Sequence, residues 1–158
     1  MAKLMTERYK PNTTVACIIE AQGKYLLVEE LIDGQLKYNQ PAGHIEANES
    51  IIDACIREVQ EETGLVIKPQ GLVGIYQFSA SETLAFVRYT FYVQLDEILD
   101  SKPEDAAING LKWLSLAQIT GISSQLRSPL VIQSITDHLA NKHYPLDILN
   151  AQYLSAGY

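Results

Sequence analysis

The sequence has few cysteines and few positive charges, and each shortage excludes a class of protein. Its 158 residues include two cysteines, Cys17 and Cys55, and no C-x-x-C spacing, so we expect two core thiols, a reducing cytoplasm and no structural zinc site. Lysine and arginine number 12 against 19 aspartates and glutamates, a net charge of −7. Phosphate backbones and anionic lipids repel such a chain, so we expect neither a nucleic-acid polymer nor a membrane as its partner.

Long apolar runs are also absent. No stretch approaches the roughly 18 consecutive apolar residues of a membrane-spanning helix. The first residues, MAKLMTERYK, carry too many charges for a secretory signal peptide, so we expect a cytoplasmic protein. Hydrophobic residues still make up 47% of the chain, enough for a core, and the length predicts one domain over residues 1–158.

Hydrophobic periodicity divides the chain into strands and helices. The predicted strands and extended segments are 14–20, 24–30, 36–40, 72–80, 84–95 and 111–115. The turn at 21–23 predicts a hairpin between the first two strands. The predicted helices are 129–141 and 48–63, the latter with Asn48 as its N-cap and Gly64 as the residue that ends it. This order of elements predicts an α/β layered domain with a mixed sheet.

Three glutamates near the end of the first helix stand where packing does not explain them. Glu58, Glu61 and Glu62 are spaced i, i+3 and i+4, so their carboxylates share one helix face. Like charges at these spacings cost about 0.2–0.5 kcal/mol per pair, and the negative end of the helix dipole adds about 0.3–1 kcal/mol. A hard divalent cation removes both costs, so the cluster predicts a Mg²⁺ site, with Mn²⁺ as the alternative ion. A solvated acidic face, partly neutralised by Arg57, is the other interpretation.

The residues around these glutamates form a motif. Residues 43–65, GHIEANESIIDACIREVQEETGL, match the pattern G-x5-E-x7-R-E-U-x-E-E-x-G-U at every fixed position, where U is a bulky aliphatic residue. This pattern is the Nudix box, and the chain resembles the Nudix hydrolases. The segments NQPAGHIE (39–46), LRSPLV (126–131) and YPLD (144–147) are similar to those of the phosphatase NudJ group within that family.

The resemblance implies a fold and a metal site. It implies an α/β/α sandwich in which a loop, a helix and a second loop hold a divalent metal, while water attacks a phosphorus of a diphosphate linkage. Glu58, Glu61 and Glu62 then become metal ligands, and the carbonyl of Ala42 is a candidate for a further one. Many relatives have Gly-Gly where this chain has Ala42-Gly43. Because Gly43 is the position that the box requires, Ala42 does not argue against activity.

The resemblance also assigns roles to other residues of the box. Arg57 orients a catalytic glutamate through an ion pair, with an ordinary surface pair to Glu61 as the alternative, and Glu49 braces the box. Glu58 is our first candidate for the general base, because in the family the general base is either this glutamate or one on a distant loop. The distant candidates here are Glu104 and Asp105, for which a solvated loop charge is the alternative interpretation.

Several residues outside the metal cluster are candidates for substrate contacts. Gly43 lets the loop approach the ligand, and His44 follows it. Arg88 lies in a predicted strand between apolar neighbours, and Arg127 belongs to the LRSP segment, so both are candidate phosphate contacts. Aromatic residues could stack on a ring of the substrate or fill the core, namely Tyr38, Phe78, Tyr89 and Trp113. The remaining histidines, His138 and His143, are expected at the surface.

The predicted function is a Mg²⁺-dependent hydrolase with a small-molecule diphosphate as its substrate. It would release phosphate from nucleoside di- or triphosphates, or from the pyrimidine diphosphate precursor of thiamine, which the NudJ-like segments imply. The alternatives are a pyrophosphatase of ADP-ribose or dinucleoside polyphosphates and a non-catalytic nucleotide sensor, against which the complete carboxylate set argues. We expect a monomer or a homodimer.

Overall fold

The computed structural model describes residues 7–154 and arranges them around a mixed sheet. Its strands in this range are β1 (Asn12–Ala21), β2 (Lys24–Ile32), β3 (Gln35–Asn39), β4 (Ala42–His44), β5 (Gly71–Ser79), β6 (Ala85–Leu95) and β7 (Ile108–Leu114). Its helices in this range are α1 (Ile51–Thr63), α2 (Leu116–Gly121) and α3 (Leu130–Leu139). None of these helices is long and apolar enough to cross a membrane.

The sheet mixes parallel and antiparallel pairs, as predicted. Its main path runs β3-β2-β1-β6-β5, with β4 paired to β1 and β7 paired to β2. The β1–β6 pair is parallel over its whole length, from Asn12 opposite Phe86 to Ala21 opposite Leu95. The predicted hairpin joins β1 and β2, and its turn residues Gln22 and Gly23 both have positive φ. The other strand pairs are antiparallel.

Helices cover both faces of the sheet, which gives the expected α/β/α layers. One buried cluster lies between the sheet and α1 and contains both cysteines, so the prediction of two core thiols is confirmed. A second cluster lies on the other face, where Ile119 of α2 and Val131 and Ile135 of α3 pack against residues such as Ile18 and Leu27. The sheet is therefore buried on both sides, as the long apolar runs of β1 and β2 require.

The N-cap of helix α1 lies two residues after the predicted N-cap. The prediction of Asn48 as N-cap is wrong, because Ser50 has the extended backbone of a cap and its hydroxyl accepts a 3.0 Å hydrogen bond from the N–H of Asp53. Asn48 instead has a positive φ of 61° in the turn before the helix. At the other end, Gly64 has φ 77° and its N–H donates to the carbonyl of Gln60, so the predicted end is confirmed.

Strand β4 and helix α2 were not predicted, and both are short. Strand β4 begins directly after Pro41 and pairs with β1, with Val15 opposite Gly43. Helix α2 is six residues long, too short for a helical period to be visible, but it has a capping box formed by Ser115 and Gln118. The S-x-x-Q spacing was the signal that could have revealed it.

The prediction that His138 lies at the surface is wrong. His138 is 7% exposed, because it follows Val131 and Ile135 at helical spacing and so faces the sheet with them. Its Nδ1 lies 2.8 Å from Nε2 of His143, and its Nε2 lies 3.4 Å from a carboxylate oxygen of Glu20. His143 is half-buried.

Burial of His138 predicts an acid-sensitive fold. Burial lowers the pKa of His138 below its usual 6.5, although Glu20 opposes this shift. Below about pH 6.5 the unfolded chain takes up a proton that the folded chain resists, so the free energy of unfolding falls as the pH falls. Urea unfolding at about pH 7.5 and about pH 5.5 should show this decline, and His138→Gln should reduce it. An equal decline in both proteins would contradict this assignment.

Candidate active site

A cavity of about 320 Å³ opens beside the last turn of α1. Its wall is formed by the ends of β3 and β4, the β5–β6 hairpin and the start of α3. It is lined by Thr14, Glu30, Asn39, Ala42, Gly43, His44, Glu62, Phe78, Ala80, Leu84, Phe86, Arg88, Arg127, Ser128 and Leu130. The structure thus brings residues of the box together with Arg88 and Arg127, which are far from it in sequence.

Arg57 connects the parts of the box beside this cavity. Its guanidinium donates to Glu49 at 2.6 and 2.9 Å, to Glu58 at 2.8 Å and to Glu61 at 3.2 Å. A further N–H donates to the carbonyl of His44 at 2.9 Å, which ties the loop before α1 to the helix. The bond to Glu49 is the main reason that the pKa of Arg57 rises and that of Glu49 falls. Arg57 therefore pairs with Glu61 at i,i+4 and also joins Glu49, Glu58 and the loop before α1.

Glu62 is the most buried of the three helix glutamates. It is 8% exposed, and its Oε1 accepts a 2.7 Å hydrogen bond from the N–H of Ala42. No lysine, arginine or histidine within residues 7–154 forms an ion pair with it. Burial raises the pKa of Glu62 to about 8, and the nearby Glu58 carboxylate adds to the rise. The fold holds this carboxyl group where its charge is unfavourable unless a cation joins it.

Glu58 lies between Arg57 and the backbone of Gly43. A Cβ atom built at Gly43 would collide with the carboxylate of Glu58, so the absence of a side chain at position 43 is what gives this carboxylate its place. Burial is the main reason that the pKa of Glu58 rises, and the bond to Arg57 limits the rise. A raised pKa makes a carboxylate a stronger proton acceptor.

The loop with the distant base candidates also reaches the box. The N–H groups of Glu104 and Asp105 both donate to the carbonyl of Glu61, at 2.9 and 2.8 Å. Both of these loop residues are exposed. The sequence separation of more than 40 residues from Glu61 is thus bridged by backbone contacts that no side-chain pattern could predict.

Two arginines line the same cavity as Glu62. Arg88 is 6% exposed and donates a 3.0 Å hydrogen bond from Nη2 to the side-chain oxygen of Asn39. Arg127 is exposed and forms a 3.0 Å ion pair with Glu30. Burial lowers the pKa of Arg88 to about 10, so this guanidinium is still charged at neutral pH. His44 lines the same cavity from its exposed position on β4.

Two aromatic side chains form the apolar part of the wall. Phe78 and Phe86 lie opposite each other in the β5–β6 pair, and Ala80 and Leu84 extend this surface. The other aromatic candidates pack in or against the core clusters, namely Tyr38, Tyr89 and Trp113. Asn39, Phe86 and Ser128 also line the cavity and were not predicted. Phe86 was detectable, because it precedes Arg88 by two residues in a strand and so shares its face.

The donors beside the cavity fit a hard divalent cation. Arg57 supplies one positive charge to four carboxylates, those of Glu46, Glu49, Glu58 and Glu61, so negative charge exceeds positive charge here even before the Glu62 carboxyl group is counted. Carboxylate and carbonyl oxygens are the ligands that Mg²⁺ prefers. Within residues 7–154 the His, Cys, Asp and Glu side chains form no group of three that could hold a metal ion as they stand, and Arg57 and the N–H of Ala42 bind oxygens of Glu58 and Glu62. The metal-ligand roles of Glu58, Glu61 and Glu62 stay predictions.

Known proteins are similar to this chain over most of its length. The NUDIX domain family model matches residues 8–132. Phosphatase NudJ of Escherichia coli (strain K12) is 41% identical over 141 residues, which cover 89% of this chain and 92% of NudJ. A NUDIX hydrolase from Nitrosomonas europaea has a similar structure, with a TM-score of 0.81, 49% identity and coverage of 89% of this chain and 97% of that one.

A more distant structure shares the fold alone. The NUDIX domain of Shewanella oneidensis NrtR, solved in a complex with ADP ribose, has a TM-score of 0.71 and 16% identity, and the match covers 85% of this chain and 90% of that one. The family model, by contrast, spans the box, the β5–β6 hairpin and Arg127, so it includes the charged residues that line the cavity. The chain belongs to the Nudix family of hydrolases, enzymes that act on pyrophosphate bonds.

Proposed function

We propose that this chain is a single-domain, Mg²⁺-dependent phosphohydrolase that releases phosphate from nucleoside di- or triphosphates or from the pyrimidine diphosphate precursor of thiamine. The observation that carries the proposal is the charge on the cavity walls. The buried Glu62 lies on the same helix as the other box glutamates, and it lines the cavity together with Arg88 and Arg127. An acidic chain can bind an anionic diphosphate only if positive charge is supplied locally, and this cavity supplies it from its arginines and from a bound cation.

Glu58, Glu61 and Glu62 are the proposed Mg²⁺ ligands, and Mn²⁺ has the same preference for oxygen donors. A bound cation of this kind neutralises phosphate oxygens and lowers the pKa of water. The burial of Glu62 with no cationic partner among residues 7–154 supports this assignment, because burial raises the pKa of this carboxyl group to about 8 and a bound cation would favour its charged form.

The protein's own groups would position the substrate and move the proton. Glu58 is the proposed general base, because Arg57 and the backbone of Gly43 fix the place of its carboxylate. Arg57 acts through Glu58 and is a positioning residue. Gly43 and His44 bring the loop to the phosphates, and Arg88 and Arg127 would contact phosphate oxygens.

The release of orthophosphate is supported by the relatives. Phosphatase NudJ is named for that activity, and the identity of 41% extends over nearly its whole length. The apolar wall of Phe78 and Phe86 offers a surface for one flat ring next to the charged part of the cavity. A monocyclic pyrimidine or a nucleoside base fits this division of the cavity into a charged part and an apolar part.

Phosphorus NMR tests the proposed reaction. The purified protein with Mg²⁺ is given CDP, ADP, GTP, ADP-ribose and the thiamine-precursor diphosphate in separate samples, and each sample is repeated with excess EDTA. We expect orthophosphate from the nucleotides or the pyrimidine compound, and none with EDTA. Cleavage confined to ADP-ribose, giving AMP and ribose phosphate, would replace the phosphatase by a pyrophosphatase. No hydrolysis of any compound would overturn the proposed substrates.

A further inference from the structure

Arg88 has an unusual partner for a buried cation. The guanidinium is almost fully buried. Among the described residues, its side chain makes one hydrogen bond, which it donates to the amide oxygen of Asn39. No carboxylate within residues 7–154 lies at ion-pair distance from it. Burial of an unpaired charge is unfavourable, so the protein accepts a cost that an aspartate at position 39 would remove.

An amide and a carboxylate at position 39 would differ in charge and scarcely in shape. Both can accept the hydrogen bond from Arg88, but only the carboxylate would cancel the positive charge. The amide therefore fixes the direction of the guanidinium and leaves its charge available to the cavity. Since Arg88 lines the cavity, an anion bound there would meet this charge.

The backbone around Asn39 is held rigidly enough to orient Arg88. Asn39 is the last residue of β3 and pairs with Val28. The next residue, Gln40, is buried and donates to the carbonyl of Val131 and the hydroxyl of Ser134 in α3. The chain then passes through Pro41 into β4 and the box. Asn39 thus links the cation to the loop that carries Gly43.

We propose that Asn39 is a positioning residue that aims Arg88 at a phosphoryl oxygen of the substrate while leaving the charge of the guanidinium uncancelled. This inference rests on the proposed function, because it takes the substrate to be a phosphate anhydride. It adds a residue outside the box that determines affinity for the anion. It also explains why position 39 is asparagine, although an aspartate there would stabilise the fold.

The experiment compares two substitutions of Asn39 with a matched control. Asn39→Asp keeps the hydrogen-bond acceptor and cancels the charge, whereas Asn39→Ala removes the acceptor and keeps the charge. Asn150→Asp is the control, because it adds the same negative charge at an exposed position that does not line the cavity. The probe is methylenediphosphonate, a non-hydrolysable diphosphate, titrated with Mg²⁺ in a calorimeter, and kcat and KM are measured on the best substrate of the NMR panel.

We expect Asn39→Asp to weaken probe binding and raise KM about 10- to 100-fold. The new carboxylate would hold the guanidinium in an ion pair, and the loss of the hydrogen bond between Arg88 and the charged phosphate has an effect of this size. Its melting temperature should equal or exceed that of the wild type, since a new ion pair forms. Asn39→Ala should raise KM by about 3- to 10-fold, because Arg88 is then less well oriented. In an Arg88→Gln background, Asn39→Asp should have little further effect, and Asn150→Asp should bind the probe like the wild type.

Wild-type affinity and KM in Asn39→Asp would overturn the inference and leave the phosphatase proposal intact. Unchanged probe binding with altered preference among bases would also overturn it, because Arg88 would then contact the base. If the wild type hydrolyses no compound of the panel but binds the probe more tightly than Asn39→Asp does, the proposed substrates are wrong and the inference about Asn39 is supported. Failure of the wild type to bind the probe would overturn the inference.

Discussion

Replacing Glu62 by glutamine is expected to lower kcat/KM by about 10³-fold or more. Glutamine preserves the size of the side chain and can still accept the hydrogen bond from the N–H of Ala42, so the local fold should survive. What is lost is the negative charge that the proposed cation requires. The several kcal/mol that a metal contributes to a phosphoryl-transfer barrier correspond to this loss in rate.

A second readout separates the loss of metal from the loss of fold. Addition of Mg²⁺ should raise the melting temperature of the wild type, because a ligand that binds only the folded state stabilises it by about 2.7 kcal/mol at 100 times its Kd. The same addition should have a much smaller effect on Glu62→Gln. Without metal, the variant should be at least as stable as the wild type near pH 8, since it no longer buries an unpaired carboxylate.

The matched control is Glu97→Gln, which makes the same chemical change at an exposed loop position. It should keep wild-type activity and the wild-type response to Mg²⁺. Wild-type kcat/KM in Glu62→Gln would remove Glu62 from the proposed ligands. An equal loss in Glu97→Gln would mean that overall charge, and not this site, controls the rate.

The box could be predicted because its chemistry is local in sequence. The spacing of Glu58, Glu61 and Glu62 on one helix is fixed by the helical period, and Arg57 lies within one turn of two of them. The β-branched and aromatic residues of β1 and β6 similarly predicted two strands. In each case the residues concerned are neighbours on one element, so a pattern of a few residues determines their relative positions.

The rest of the cavity could not be predicted in the same way. Asn39 and Arg88 come from β3 and β6, and Ser128 comes from the loop before α3. They line one cavity because β1 pairs in parallel with β6 and α3 packs on the sheet. The orientation of Arg88 depends on Asn39, 49 residues away in sequence. Tertiary packing decides such contacts, and a single sequence carries no periodic signal for them.

The structure also shows why the box requires glycine at position 43, and the last prediction follows from this contact. Gly43→Ala should lower kcat by about 10²-fold, a loss typical of a catalytic group misplaced by about 1 Å. The new methyl group would occupy the place of the Glu58 carboxylate, which must then leave its position beside Arg57. The obstacle is the far end of a flexible side chain, and Gly43 does not have the positive φ that would exclude alanine, so the fold should persist.

Gly121→Ala is the control for this substitution, because a Cβ at Gly121 would meet nothing within 4 Å. It should keep the wild-type kcat, and its stability should change by no more than about 1 kcal/mol. Steady-state kinetics and thermal unfolding on both variants decide the question. If Gly43→Ala retains full kcat with an unchanged melting temperature, catalysis does not need the Glu58 carboxylate at this position, and the general base must be sought at Glu104 or Asp105. If Gly43→Ala instead unfolds, Gly43 serves the fold of β4 before it serves the chemistry.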